Sequence, residues 1–115
     1  MAFPEITNAL IEKKIGKYCD NRIPAHLRNK VTVSYEIRGS NVTIFESRAP
    51  WRSEMTEWTK SKVAQIRYDE KKTMWTLFCR DQYGKWYKYE SLPAVKNLDR
   101  VIEEIDADPT GIFWG

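Results

Sequence analysis

Histidine is almost missing from this chain of 115 residues, where His26 stands alone. Metal centres and acid–base triads draw on several convergent groups, so one histidine in an expected loop leaves zinc-type sites and Ser-His-Asp or Cys-His arrangements without their parts. Cysteine is scarce too. Cys19 and Cys79 lie far apart without C-x-x-C spacing, which predicts two free thiols in a reducing compartment. With 5 Gly and 5 Pro there is neither a glycine-rich phosphate loop nor a low-complexity linker. No apolar run approaches the roughly 20 residues that cross a bilayer, and no basic, apolar and cleavable leader opens the chain. The expectation is a soluble, cytoplasmic protein with no membrane partner. No catalytic residue, metal ligand or cofactor is assigned.

What is present is a globular balance, 42% hydrophobic and 30% charged, in a length that suits one core and a single domain over residues 1–115. Five Trp, six Tyr and four Phe fill a small core with few residues. The formal charge of +3 is uneven. Residues 1–92 hold 17 Lys or Arg against 11 Asp or Glu, and residues 93–115 hold 2 against 5, so a basic body precedes an acidic tail. A basic body attracts polyanions, nucleic acid among them, or an acidic protein.

The hydrophobic pattern predicts α+β architecture. Residues 3–24 read as an amphipathic helix with Ile6, Leu10, Ile11, Ile15, Tyr18 and Cys19 in one stripe and Lys13, Lys14 and Lys17 opposite, stopping before Pro24. "VTVSYEIR" alternates strictly, and a two-residue Gly39-Ser40 turn would set Ile37 beside Val42 and Tyr35 beside Ile44. Residues 47–61 show no period and read as the longest loop, a lid or a binding element. Three further strands follow, joined by turns at Glu70 to Thr73 and Asp81 to Gly84. Ala64, Ile66, Tyr68, Trp75, Leu77 and Cys79 then share one face, which Tyr87 and Tyr89 extend. A closing helix begins between Ser91 and Asn97, turning Val95, Leu98, Val101, Ile102 and Ile105 inward until Asp108-Pro109. The expected order is an N-terminal helix, a five-stranded antiparallel meander sheet and a C-terminal helix, with at least one helix on the apolar face.

The ordered series P-W-R, W-T, A-Q-I-R-Y, R-D and I-D-x-D-P-T-G-x-F-W-G resembles the bacterial family called domain of unknown function 3024, over residues 5–115. That resemblance implies a compact domain and transfers no activity. The closing "GIFWG" is also superficially similar to the G-C-F-W-G of peptide methionine sulfoxide reductases of the A type. Their nucleophile is a thiolate at the second position, and Ile112 has nothing to ionise there. The expectation is instead that Ile112, Phe113 and Trp114 fold back into a hydrophobic gap, with Gly111 supplying the turn.

Three constellations remain. The sheet side opposite the apolar face carries Arg67, Thr76, Phe78, Arg80, Trp86 and Lys88, with Arg52 and Lys62 able to extend the patch. Cations meet phosphates and rings stack on bases, so this mixture suits nucleic acid, unless a helix or the 47–61 loop covers it and makes Phe78 and Trp86 core. Trp51, Trp58 and Trp114 offer an alternative aromatic groove for a protein partner. Glu103, Asp106 and Asp99 on a helix, and "DEKK" at 69–72 with Glu46 or Glu36, are carboxylate groups of the kind that hold a divalent cation; a solvated acidic surface explains the first and a turn the second. The reading is a non-enzymatic binding or accessory domain with nucleic acid as the expected ligand. The alternative is a protein-interaction module, and a metal-dependent nuclease is third.

Overall fold

The computed structural model describes residues 4–52 and 54–115. Phe3, at the head of the expected first helix, and Ser53, inside the expected loop, lie outside the described residues. The chain forms α1 (Glu5–Ile11), a π-helical turn (Glu12–Gly16), α2 (Lys17–Arg22), β1 (Val31–Arg38), β2 (Asn41–Arg48), β3 (Thr59–Asp69), β4 (Met74–Arg80), β5 (Trp86–Lys88) and α3 (Leu98–Ala107). The strands make one antiparallel sheet in the order β1-β2-β3-β4-β5. Helix, five-stranded meander and helix follow one another as the pattern predicts.

Pro4 caps the first helix from outside, leaving Glu5 in the first turn. Ile11, Ile15 and Cys19 are buried at successive intervals of four. In an α-helix such a row drifts, because four residues overshoot one 3.6-residue turn. The wider π turn between Ile11 and Lys17 absorbs the surplus, so the three side chains keep facing the sheet. Ile6 and Leu10 do not belong to this row. They point away from it, at 86% and 38% exposed, which corrects the stripe expected from sequence.

Register follows side-chain alternation closely. Gly39 takes φ 57 in the two-residue turn, and Ile37 pairs with Val42 and Tyr35 with Ile44. Ile66 faces Leu77 and Tyr68 faces Trp75 across the turn at 70–73, where Asp69 Oδ1 accepts the Lys71 and Lys72 amides. The expected loop at 47–61 is shorter than predicted. β2 and β3 stay paired as far as Arg48 and Thr59, leaving residues 49–58 as the connection. β5 lies at the sheet edge, so Tyr87, opposite Cys79, stays exposed instead of extending the apolar face, while Tyr89 is buried.

Both helices cover the same sheet face, and the core is formed where they meet Val42, Ile44, Ile66, Trp75 and Leu77. They run side by side, joined by Lys14 Nζ to Asp99 Oδ2 (3.1 Å), Tyr18 Oη to Asp106 Oδ1 (3.1 Å) and Arg22 over the Trp114 ring (4.4 Å). Burial and the Asp106 carboxylate push the Tyr18 hydroxyl well above its ordinary value, so it remains a donor. Asn97 caps α3 by accepting the Asp99 amide at 2.9 Å. Val95 therefore precedes the helix that was expected to include it. It bridges Trp75 instead, with both backbone bonds made (2.7 and 2.9 Å).

The tail folds back as expected for Phe113 and Trp114 but not for Ile112, which is exposed. Asp108, at φ 43, accepts the Phe113 amide (3.0 Å) and the Trp114 amide (2.9 Å), and Gly111 turns the chain at φ 74. Trp114 Nε1 donates to the Ile105 carbonyl at 3.0 Å, using one of the acceptors left open at the end of α3.

Candidate nucleic-acid interface

The sheet face turned away from the helices begins with ordinary alternation. Arg67 pairs with Thr76, Phe78 with Lys88, and Arg80 with Trp86, so Arg67, Thr76, Phe78, Arg80, Trp86 and Lys88 share it. Strict alternation back from Gln65 would send Val63 outward and Lys62 inward. A bulge between Ile44 and Phe45 reverses them: Val63 and Ala64 are consecutively buried, and Lys62 sits opposite Phe45 on the outer side. The bulge thus brings Lys62 and Lys60 to the cationic face. Phe78 and Trp86 are half-buried on this face, and both helices pack against the opposite one.

Three cation–ring contacts organise the surface. The Arg67 guanidinium lies 3.8 Å from the Phe78 ring centre, Lys60 Nζ 4.2 Å from Phe45, and Lys62 Nζ 5.7 Å from Trp86. Gln65, only 9% exposed, links the strands beneath them. Its Oε1 accepts from Arg67 Nε at 2.7 Å, and its Nε2 donates to Thr43 Oγ1 at 3.0 Å. Arg80 Nε donates to the Lys62 carbonyl at 2.5 Å. Backbone and amide oxygens therefore aim the two arginines, and among the described residues no carboxylate pairs with Arg67, Arg80, Lys62 or Lys88. Their charge is left available to an outside anion.

Glu36 is the exception on this face. Its carboxylate pairs with Lys60, and that hydrogen bond, with the nearby Lys60 and Arg38 charges, holds its carboxyl below the usual range. Glu36, Thr43, Phe45, Lys62, Gln65 and Trp86, with Arg38, line a groove of about 300 Å³. Sequence reasoning found Lys62 and Trp86 but missed Phe45, Gln65 and Lys60. Carrying the alternation of β2 across both neighbouring strands would have indicated the first two.

The other expected site residues lie elsewhere. Arg52 stacks on Trp51 at 4.2 Å in the 49–58 connection and does not line the groove. Trp51 lines a separate depression with Lys30, Arg48, Pro50 and Met55, which includes neither Trp58 nor Trp114. Trp114 is engaged with Arg22 and Ile105. The structure thus gathers Lys62, Arg67, Phe78, Arg80, Trp86 and Lys88, and separates Arg52 and the three tryptophans of the alternative groove.

Most of the candidate carboxylates have partners. Asp99 and Asp106 hold the helix pair together, Asp69 closes its turn, and Glu46 meets Arg48 at 2.9 Å. Among the described residues no three His, Cys, Asp or Glu side chains group as metal ligands. His26 is exposed in a 3₁₀ turn, Ala25–Leu27.

A helix-backed antiparallel meander with one open cationic face defines the class of α+β domain. The chain belongs to the family Domain of unknown function (DUF3024), whose family model matches residues 3–115. No curated protein and no solved structure matches it. Among the described residues no helix is long and apolar enough to cross a membrane.

Proposed function

We propose that the protein is a non-enzymatic binding or accessory domain of the bacterial cytoplasm whose ligand is nucleic acid, held on the outer face of the sheet. The observation that carries this reading is the set of cations beside Phe78 and Trp86, with Arg67 and Arg80 aimed by oxygen acceptors and Lys62 and Lys88 next to them, all four without carboxylate partners among the described residues. Phosphates release counterions when such groups neutralise them, and rings accept bases. Two free, buried cysteines fit a reducing compartment.

The test is a titration of labelled oligonucleotides, single- and double-stranded, at several salt concentrations. Four phosphate contacts predict a log–log salt slope of about −3 for a single strand. Arg67→Ala/Arg80→Ala should weaken binding by about tenfold and make that slope shallower by one to two. Absence of binding at low salt sinks the reading.

A second reading, a protein-interaction module, rests on the connection at 49–58, where Trp51 is 78% exposed and Met55 stands beside it in the same depression. It predicts association that salt hardly changes. The nuclease reading rests on the Glu70 to Lys72 triplet with Glu46 or Glu36 as a second acid; Glu36 is paired with Lys60, Glu46 with Arg48, and among the described residues no three His, Cys, Asp or Glu group as metal ligands.

A further inference from the structure

The groove beside Trp86 differs in kind from the arginines around it. Its lining includes two rings, Phe45 from β2 and Trp86 from β5, and two uncharged polar side chains, Gln65 and Thr43. Its volume of about 300 Å³ is at the small end of ligand sites, suited to one planar heterocycle rather than an extended molecule. Arg67 has only donors to offer, so its bond fixes which end of the Gln65 amide is oxygen. That bond and the one to Thr43 leave Gln65 with one lone pair and one N–H, an acceptor beside a donor, on a residue that lines the groove.

The cation over Trp86 is the most loosely placed of the three. Lys62 stands 5.7 Å from the ring centre, against 3.8 Å for Arg67 on Phe78 and 4.2 Å for Lys60 on Phe45. Lys60 is also tied to Glu36 and Arg67 to Gln65, whereas the Lys62 ammonium has no further partner among the described residues. Exchange of that ammonium for a stacked base at Trp86 disturbs the least. It also frees the lysine for the phosphate attached to the same base.

We propose, on the basis of the nucleic-acid reading above, that this groove takes one unpaired nucleobase, so that the ligand is single-stranded. A duplex hides the faces of its bases in its own stack, and only a splayed base can stack on Trp86 in the groove. Gln65 then meets the edge of the base, and Arg80 and Lys88 take flanking phosphates.

Three short labelled DNA probes of equal length separate the contributions: a mixed-sequence single strand, its duplex, and an abasic strand with the same phosphates and no bases. The single strand is expected to bind the protein about tenfold more tightly than either of the others. Trp86→Leu should reduce single-strand affinity to the abasic level without changing abasic binding, and Trp86→Phe, which keeps a ring and checks that the fold survives, should restore much of it. Equal affinity for single and abasic strands, or a Trp86→Leu protein that still prefers bases, overturns the groove assignment. If binding in that case remains sensitive to Arg67→Ala/Arg80→Ala, which lie outside the groove lining, the phosphate reading survives. Failure of all three probes to bind removes both.

Discussion

The carboxylate of Asp108 accepts the backbone N–H of Trp114 at 2.9 Å, from a residue that itself ends α3 in the left-handed conformation. With the Phe113 amide on its other oxygen, Asp108 turns "DPTGIFW" into a clamp that seats Phe113 in the core. Asp108→Ala removes both acceptors and should destabilise the fold by about 2 kcal/mol, with Asp108→Asn costing less because one acceptor survives. Urea unfolding of the two variants checks the order.

Glu104 is the charged residue that α3 buries. It accepts Tyr89 Oη at 2.7 Å and Arg100 Nη2 at 2.8 Å. The tyrosine hydroxyl and the guanidinium hold its carboxyl below the ordinary value, although burial opposes them. Its stabilisation is therefore fully present above the unfolded carboxyl range and is lost as pH falls through the lower folded value. Burial and the Glu104 bond raise the Tyr89 hydroxyl, so that contribution is complete below the ordinary tyrosine range and fades as pH rises through the folded value. Glu104→Gln should flatten the acid limb of a stability–pH curve while leaving the neutral plateau lower.

Burial, aided by the Asp20 charge, pushes the Cys19 thiol up to about 12. The native protein should therefore resist a thiolate-directed alkylating reagent near neutral pH at both Cys19 and Cys79, since both are buried. Labelling followed by mass spectrometry should show both sites modified rapidly in denaturant. Prompt reaction of Cys19 in the native protein would contradict its placement against β1.

Much of the fold was legible because two simple periods coincided with simple turns. "VTVSYEIR" has a strict alternation and a two-residue turn, so the Tyr35 and Ile37 partners followed without ambiguity. The same logic gave Ile66 opposite Leu77. It failed where the backbone gains a residue. Alternation counted back from Gln65 would leave Val63 outside, whereas the bulge opposite Ile44 and Phe45 buries it beside Ala64. Glu104 was illegible for another reason: a charged helical position reads as solvated until its Tyr89 and Arg100 partners arrive from elsewhere in space.

Glu36 restrains the cationic face by occupying Lys60. Glu36→Gln removes a negative charge from the rim of the groove and releases that lysine, so affinity for a short oligonucleotide should increase several-fold at low salt and converge with wild type as salt screens the difference. Fluorescence anisotropy measures both effects.

Trp51 and Trp75 should behave as opposites despite their identical chemistry. Trp51→Ala removes a ring from solvent and should change stability by less than about 0.5 kcal/mol. Trp75 is 3% exposed and packs at 4.4 Å against Tyr68, so Trp75→Ala should cost about 3–5 kcal/mol. Calorimetry of the two variants distinguishes a connection free to meet a partner from one that holds the sheet.

The strand order repeats the sequence order, and this has a consequence for a chain still being synthesised. Three of the four strand pairs close over short connections, two residues between β1 and β2, four between β3 and β4 and five between β4 and β5, so most of the sheet can zip as it emerges. The long closure joins Lys14 to Asp99, 85 positions apart. Until residues 98–107 leave the ribosome, Leu77 and Trp75 have no α3 to cover them, and the nascent domain carries an open greasy flank prone to aggregation.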